Sequence, residues 1–165
     1  MEQRKHPRLK GYDYSQGGVY FVTFCTKDRK CILSHISVGR DALGALLPPT
    51  LRLTKIGELV EKHLLNSERA YPGLKIDAYT IMPNHVHILF TSPGETQGAP
   101  GASRPTALVS RMVAAIKRFS NRDAGMDLWQ TSFYDHIIRD EADYLTKWNY
   151  INTNPARWAE DEYYT

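Results

Sequence analysis

Met82-Pro83-Asn84-His85-Val86-His87-Ile88-Leu89-Phe90 is the stretch on which the reading of this chain turns. Two histidines flank one apolar residue inside an apolar run, just after a Pro-Asn turn. In a strand, residues i and i+2 share a face, so both imidazoles project together while Val86 enters the opposite layer. Neutral imidazole is the commonest metal ligand, and this spacing lets both rings reach one ion. Two half-buried, hydrogen-bonded histidines at a core edge give the same pattern, so the pair by itself leaves both readings open.

Working outward, Lys75 to Ile81 reads as the strand that pairs with this one across Pro83-Asn84. Val19-Tyr20-Phe21-Val22-Thr23-Phe24-Cys25 is another strand, preceded by Gly17-Gly18. Lys27 to Lys30 form a charged turn, and Cys31-Ile32-Leu33 is expected to pair back. Arg40 to Thr50 reads as irregular, broken by Pro48-Pro49. A helix starts at Thr54, with Ile56, Leu59, Val60, His63 and Leu64 near helical spacing, and ends at Tyr71-Pro72-Gly73. Ser92 to Ser103, rich in Gly, Pro, Ala and Ser, predicts a flexible loop at about 92–104. Pro105 opens a second helix with a stripe of Leu108, Met112, Ile116 and Phe119, and Ser132 to Ile138 is a short strand. The order β, α, β, β, α, β, α describes an α+β, ferredoxin-like (split βαβ) antiparallel sheet with helices on one face and an extra C-terminal helix. Residues 1–165 are expected to form one domain.

Asp140 is placed to cap that last helix. A projection at 100° per residue sets Tyr144, Leu145, Trp148 and Ile151 on one side, the expected core stripe. Asp143, Lys147, Tyr150 and Asn154 fall on the other, which predicts a Tyr150 hydroxyl outside the core. Asn154 precedes Pro155, so it ends the helix; its amide oxygen is a suitable ligand for Mg²⁺ or Mn²⁺, and equally a plain terminator.

The charge is uneven. Residues 1–40 hold eight Lys/Arg against three acids, and residues 104–122 hold five with no acid. Residues 139–165 hold six acids against three Lys/Arg. Basic segments opposite an acidic tail suit a polyanion on one side, and are also common on any mildly basic surface. Arg8 and Lys10 in the first segment, and Arg111, Lys117, Arg118 and Arg122 in the second, are the candidate phosphate contacts. No run has the apolar length of a membrane span, the first residues are polar and basic, and two cysteines suggest no disulfide framework, so a cytoplasmic protein is expected.

These motifs resemble the REP-associated tyrosine transposases, within the single-tyrosine HUH endonucleases (His, hydrophobic, His). The likeness rests on Met82 to Phe90, on Trp129-Gln130, Phe133-Tyr134 and His136-Ile137-Ile138-Arg139-Asp140, and on Tyr150-Ile151 with Asn154-Pro155-Ala156-Arg157-Trp158. Gly11-Tyr12-Asp13-Tyr14-Ser15-Gln16 followed by Tyr20-Phe21-Val22-Thr23 is similar to the same group. The resemblance implies a metal-dependent endonuclease and strand transferase acting on single-stranded or hairpin DNA. His85 and His87 would bind Mg²⁺ or Mn²⁺, Asn154 would be the third ligand, and Tyr150 would be the nucleophile that forms a 5′-phosphotyrosine. Tyr12 and Tyr14 would lie beside the bases flanking the hairpin. His136 is one candidate acceptor for the tyrosine proton, a metal-bound water the other. The chain would act as a monomer or a homodimer. The alternative is a non-catalytic, domesticated hairpin-DNA-binding protein. A histidine-triad hydrolase fits poorly, because the next alternate position is Leu89.

Overall fold

The computed structural model describes residues 17–93 and 105–165; Arg8, Lys10, Tyr12, Tyr14 and residues 94–104 of the expected loop lie outside them. Alternation along strand β1 (Gly18–Cys25) sets the layers. Tyr20, Val22 and Phe24 enter a large core cluster on one side, and Phe21 enters a small cluster on the other. Strand β5 (His85–Ser92) runs antiparallel beside it, with His85 opposite Cys25, His87 opposite Thr23 and Leu89 opposite Phe21. Both histidines therefore share the Phe21 face, as the i, i+2 spacing requires. Strand β4 (Lys75–Ile81) flanks β5, and β6 (Tyr134–Ile137) takes the other edge of β1. The order β4-β5-β1-β6, antiparallel throughout, is the split βαβ sheet anticipated from the element order.

Helices α1 (Lys55–Leu65) and α3 (Pro105–Ala124) cover the Tyr20 face, burying Val60, Leu64, Val109, Met112, Val113 and Ile116. Burial of each such side chain contributes about 1.5–3 kcal/mol. Thr54 caps α1: its hydroxyl accepts from the Gly57 amide at 3.1 Å and donates to the Ile32 carbonyl at 2.7 Å. Gly57 meets the Leu33 carbonyl so closely that a Cβ would overlap it. Helix α4 (Glu141–Thr153), capped by Asp140 on the Asp143 amide at 2.8 Å, lies on the opposite face of the sheet. Short 3-10 turns (Asn154–Glu160) carry the chain back beneath β5.

Four expectations need correction. Residues 40–50 are not merely irregular: β2 (Ser34–Ser37) and β3 (Thr50–Leu53) form a ribbon. The Asp41 carboxylate accepts from the Leu43 and Ala45 amides and folds its tip, while Pro48-Pro49 stay outside the ladder. Leu33 does not pair back; it is fully buried in the core. Helix α1 stops at Leu65, and a separate turn, α2 (Ser67–Ala70), fills the interval to Tyr71. The largest departure concerns α4. Leu145 and Trp148 are 48% and 41% exposed, while Asp143, Lys147, Tyr150 and Asn154 turn towards the sheet with Tyr144 and Ile151. The projection was right for Tyr144 and Ile151, which face the sheet, and wrong for Leu145 and Trp148, which point out while the polar group turns in. A polar stripe faces the sheet because the sheet presents histidines and Thr23 there rather than an apolar surface alone.

Candidate active site

The site grows from the turn between β4 and β5. The Met82 amide donates to the His85 carbonyl at 2.8 Å and closes the turn over Pro83-Asn84. Asn84 is fully buried, and its amide nitrogen donates to the Tyr163 carbonyl at 2.7 Å and towards the Thr165 hydroxyl at 3.4 Å. That orientation aims the Asn84 oxygen at Nδ1 of His85, 2.8 Å away. An amide oxygen only accepts, so His85 carries its proton on Nδ1 and presents a lone pair at Nε2. Nδ1 of His87 lies 2.6 Å from the Thr23 hydroxyl, across the β1–β5 ladder. Where that hydroxyl accepts, His87 presents Nε2 as well. The two Nε2 atoms stand 3.0 Å apart.

Asp161, from the tail, completes the group. Its Oδ2 is 3.7 Å from Nε2 of His85, its side chain is 2% exposed, and the three residues offer ligand atoms within 4.8 Å of one another. Asp161 Oδ2 has no hydrogen-bond partner, nor has either amide atom of the buried Asn154. Each buried polar group left this way costs about 1–3 kcal/mol. Burial also holds both imidazoles well below the usual histidine range; for His85 the Asp161 charge opposes that effect, and for His87 the neighbouring His85 and Lys147 reinforce it. Two neutral imidazoles and a carboxylate, with ligand atoms within 4.8 Å of one another, are a donor set that a divalent cation satisfies.

Tyr150 stands beside this group. Its ring meets His87 edge-on at 5.1 Å and Phe21 at 6.1 Å, so it is half-buried against the sheet rather than set among solvated residues as the projection suggested. Burial pushes its hydroxyl up to about 12, the negative Asp161 and Glu162 push the same way, and Asn154 opposes them. A cavity of about 350 Å³ opens here, lined by Phe21, Thr23, His87, Lys147, Tyr150 and Tyr163. The Lys147 ammonium sits 4.8 Å from the Phe21 ring centre, inside that lining.

His85, His87, Tyr150 and Asn154 thus meet in one place. His136 does not join them: Asp143 holds its Nε2 at 2.8 Å, two helical turns before Tyr150. Arg111, Arg118 and Arg122 lie on α3, across the sheet from the histidines. Lys117 leaves that stripe; its ammonium donates to the carbonyls of Gln130 and Ser132 at 2.7 and 3.0 Å. Sequence reasoning missed Asp161, Asn84, Thr23, Lys147 and Tyr163, whose ring lies 4.6 Å from His85. Asn84 reads as a turn residue and Asp161 as one acid in an acidic run; no spacing rule links position 161 to 85 and 87. Lys147 was legible, since it shares the helix stripe of Tyr150.

Among the described residues, no helix is long and apolar enough to cross a membrane. No family model matches the chain. The chain is 31% identical to an uncharacterized protein of Haemophilus influenzae, over 99% of this chain and 94% of that protein. It is 25% identical to the REP-associated tyrosine transposase of Escherichia coli strain K12, over 87% of this chain and 70% of the relative. Its fold matches a solved structure of a REP-associated tyrosine transposase bound to a REP hairpin, with a TM-score of 0.64 at 22% identity, over 94% of this chain and 76% of that one. By its sequence relatives and its fold together, the chain belongs to the REP-associated tyrosine transposases.

Proposed function

We propose that this protein cleaves and rejoins single-stranded DNA next to hairpin repeats, with Tyr150 as nucleophile. His85 and His87 through Nε2, Asp161 through Oδ2 and Asn154 through its amide oxygen would hold Mg²⁺ or Mn²⁺. The observation that carries the reading is the convergence of His85, His87 and the unpartnered Asp161 Oδ2 beside the Tyr150 ring. A bound divalent ion neutralises charge on the phosphate and polarises phosphorus for attack. Carboxylate favours Mg²⁺ or Mn²⁺ and imidazole favours transition ions, so the mixed set leans to Mn²⁺.

The protein's own groups do the rest. The Tyr150 oxygen attacks phosphorus, a Tyr–O–P bond forms, and the bond from phosphorus to the 3′ oxygen breaks. The departing 3′ oxygen takes up a proton, so the products are a 5′-phosphotyrosine and a 3′-hydroxyl. A second 3′-hydroxyl reverses the step without ATP, because the covalent link keeps the phosphodiester energy. A hydroxyl held near 12 needs its proton removed as it attacks. Lys147, which lines the same cavity, adds a cation for the phosphate.

The test is incubation with labelled hairpin DNA bearing a single-stranded 5′ flank, in Mn²⁺. The native protein is expected to form a covalent adduct, and Tyr150→Phe to bind the DNA equally and form none. An adduct that persists in Tyr150→Phe defeats the assignment. One observation favours the second reading, a non-catalytic hairpin-binding protein: His85 and His87 are 0% and 1% exposed, under Trp158 and Tyr163. Tight hairpin binding with no adduct in any divalent ion selects it.

A further inference from the structure

The face of the sheet away from the histidines has a pocket of its own. It measures about 240 Å³ and is walled by His63 and Asn66 at the end of α1, by Tyr71, and by Ala115, Ile116 and Phe119 of α3. The walls are flat and fixed. His63 stacks on Phe119 with centroids 5.7 Å apart and planes at 28°, and Asp123 holds the His63 ring through Nε2 at 2.7 Å. Arg111 lies over Tyr71 at 5.9 Å, and Arg118 and Arg122 lie over Phe119 at 4.7 and 5.1 Å. These arginines are spaced i, i+7 and i+11, so they form a line along α3 about 16 Å long. Arg122 is paired with Asp123, while Arg111 and Arg118 have no carboxylate partner among the described residues.

Such a pocket selects its occupant. An aliphatic side chain would fill the apolar space and leave the guanidinium line unmatched. A planar heterocycle on a polyanionic backbone uses both: the ring stacks between Phe119, His63 and Tyr71, and the adjoining phosphates meet the arginines. The Asn66 side-chain amide, with no hydrogen-bond partner among the described residues, lines the pocket and can meet a base edge. We propose that this pocket binds one unpaired base of the hairpin DNA, from its loop or from its flank. The inference rests on the DNA reading above, and adds a second site on the opposite side of the sheet from Tyr150.

The probe is a stem-loop oligodeoxynucleotide with a thymidine loop and a thymidine 5′ tail, made intact, with an abasic loop, or with an abasic tail. Affinity is read by fluorescence anisotropy. For the native protein, abasic replacement in one of the two places should weaken binding about tenfold, and which place does so identifies the source of the base. Ala115→Phe fills the pocket without touching a charge. It should weaken binding of the intact probe about tenfold, become indifferent to abasic replacement, and keep the native salt slope. Native binding indifferent to both abasic probes, or Ala115→Phe binding like native protein, overturns the proposal. A measurement independent of that variant is photocrosslinking of native protein to probes carrying 5-iododeoxyuridine. Crosslinks to Tyr71 or Phe119 support the pocket, and crosslinks confined to Phe21, Tyr150 or Tyr163 refute it. The Mn²⁺-dependent Tyr150 adduct, scored in parallel, separates the two claims. Adduct formation with an indifferent Ala115→Phe defeats the pocket alone; an Ala115→Phe effect without any adduct defeats strand transfer alone.

Discussion

Thr23→Val isolates the least conspicuous part of the candidate metal site. The change keeps shape and removes one oxygen, the partner of His87 Nδ1 at 2.6 Å. In the native protein that hydroxyl can accept from Nδ1–H and leave Nε2 free for an ion. In the variant, Nδ1–H would point at a methyl group inside a buried site, since the His87 face is already stacked on Phe21 at 5.3 Å. Stranding a buried donor costs about 1–3 kcal/mol. His87 escapes by moving its proton to Nε2, where the His85 lone pair 3.0 Å away accepts it. That tautomer blocks both histidines as ligands. Metal binding must then reverse the proton shift, so Mn²⁺ affinity should fall about 10- to 100-fold, equivalent to about 1.4–2.8 kcal/mol. The two ranges agree because they describe the same missing acceptor. Electron paramagnetic resonance of free Mn²⁺ during a titration gives the dissociation constant directly. Thr23→Ser keeps the hydroxyl and should retain most of the affinity. A folded Thr23→Val that binds Mn²⁺ like native protein would show that Thr23 does not set the His87 tautomer, and the assignment of Nε2 as the ligand atom of His87 would fall with it.

Asp161→Ala should weaken Mn²⁺ binding more than Asn154→Ala, because a carboxylate supplies charge as well as an oxygen; calorimetric titration giving the reverse order would restore Asn154 as the principal third ligand. Lys117→Met should lower stability by about 0.5–1.5 kcal/mol, the net worth of hydrogen bonds whose part-exposed carbonyls on Gln130 and Ser132 can turn to water, and leave the salt slope of DNA binding intact, unlike Arg118→Ala, which should shrink that slope by roughly one. Hydrogen bonds from Arg122 and His63, against a smaller opposing effect of burial, hold the Asp123 carboxyl well below its ordinary range. A carboxyl depressed in the folded state stabilises above its unfolded value and loses that contribution as pH falls, so melting curves of native protein and Asp123→Asn should converge below about pH 4. Curves that stay equally separated down to about pH 3 would remove Asp123 from that role.

Strands were the legible part of this fold because their signal is local. The β-branched and aromatic residues of Val19–Cys25 and the alternation around His85 and His87 specify extended chain and its two faces without reference to anything distant. Helix α4 shows where this stops. Its periodicity separates Leu145 and Trp148 from Lys147 and Tyr150, but which side turns inward depends on what the sheet offers, and hydropathy assumes an apolar partner. The same limit explains Asp161. Its role follows from a chain reversal after Pro155 that places position 161 beneath position 85, a tertiary fact carried by no spacing. The ribbon tip formed around Asp41 escaped notice because Pro48-Pro49 gave the stronger local signal.

The two apolar clusters that sandwich the sheet are very unequal. Among the described residues, eighteen buried side chains join the one beneath α1 and α3, against three, Phe21, Leu89 and Ile151, beneath α4. Cooperative opening follows such differences, since the free energy of a partial unfolding step scales with the apolar contact it breaks. Amide hydrogens of α4 should therefore exchange with solvent well before those of α3. The helix that carries Tyr150 is in this sense a separately melting unit hinged on a durable platform, and can leave the strand bearing His87 while the other layer keeps its order.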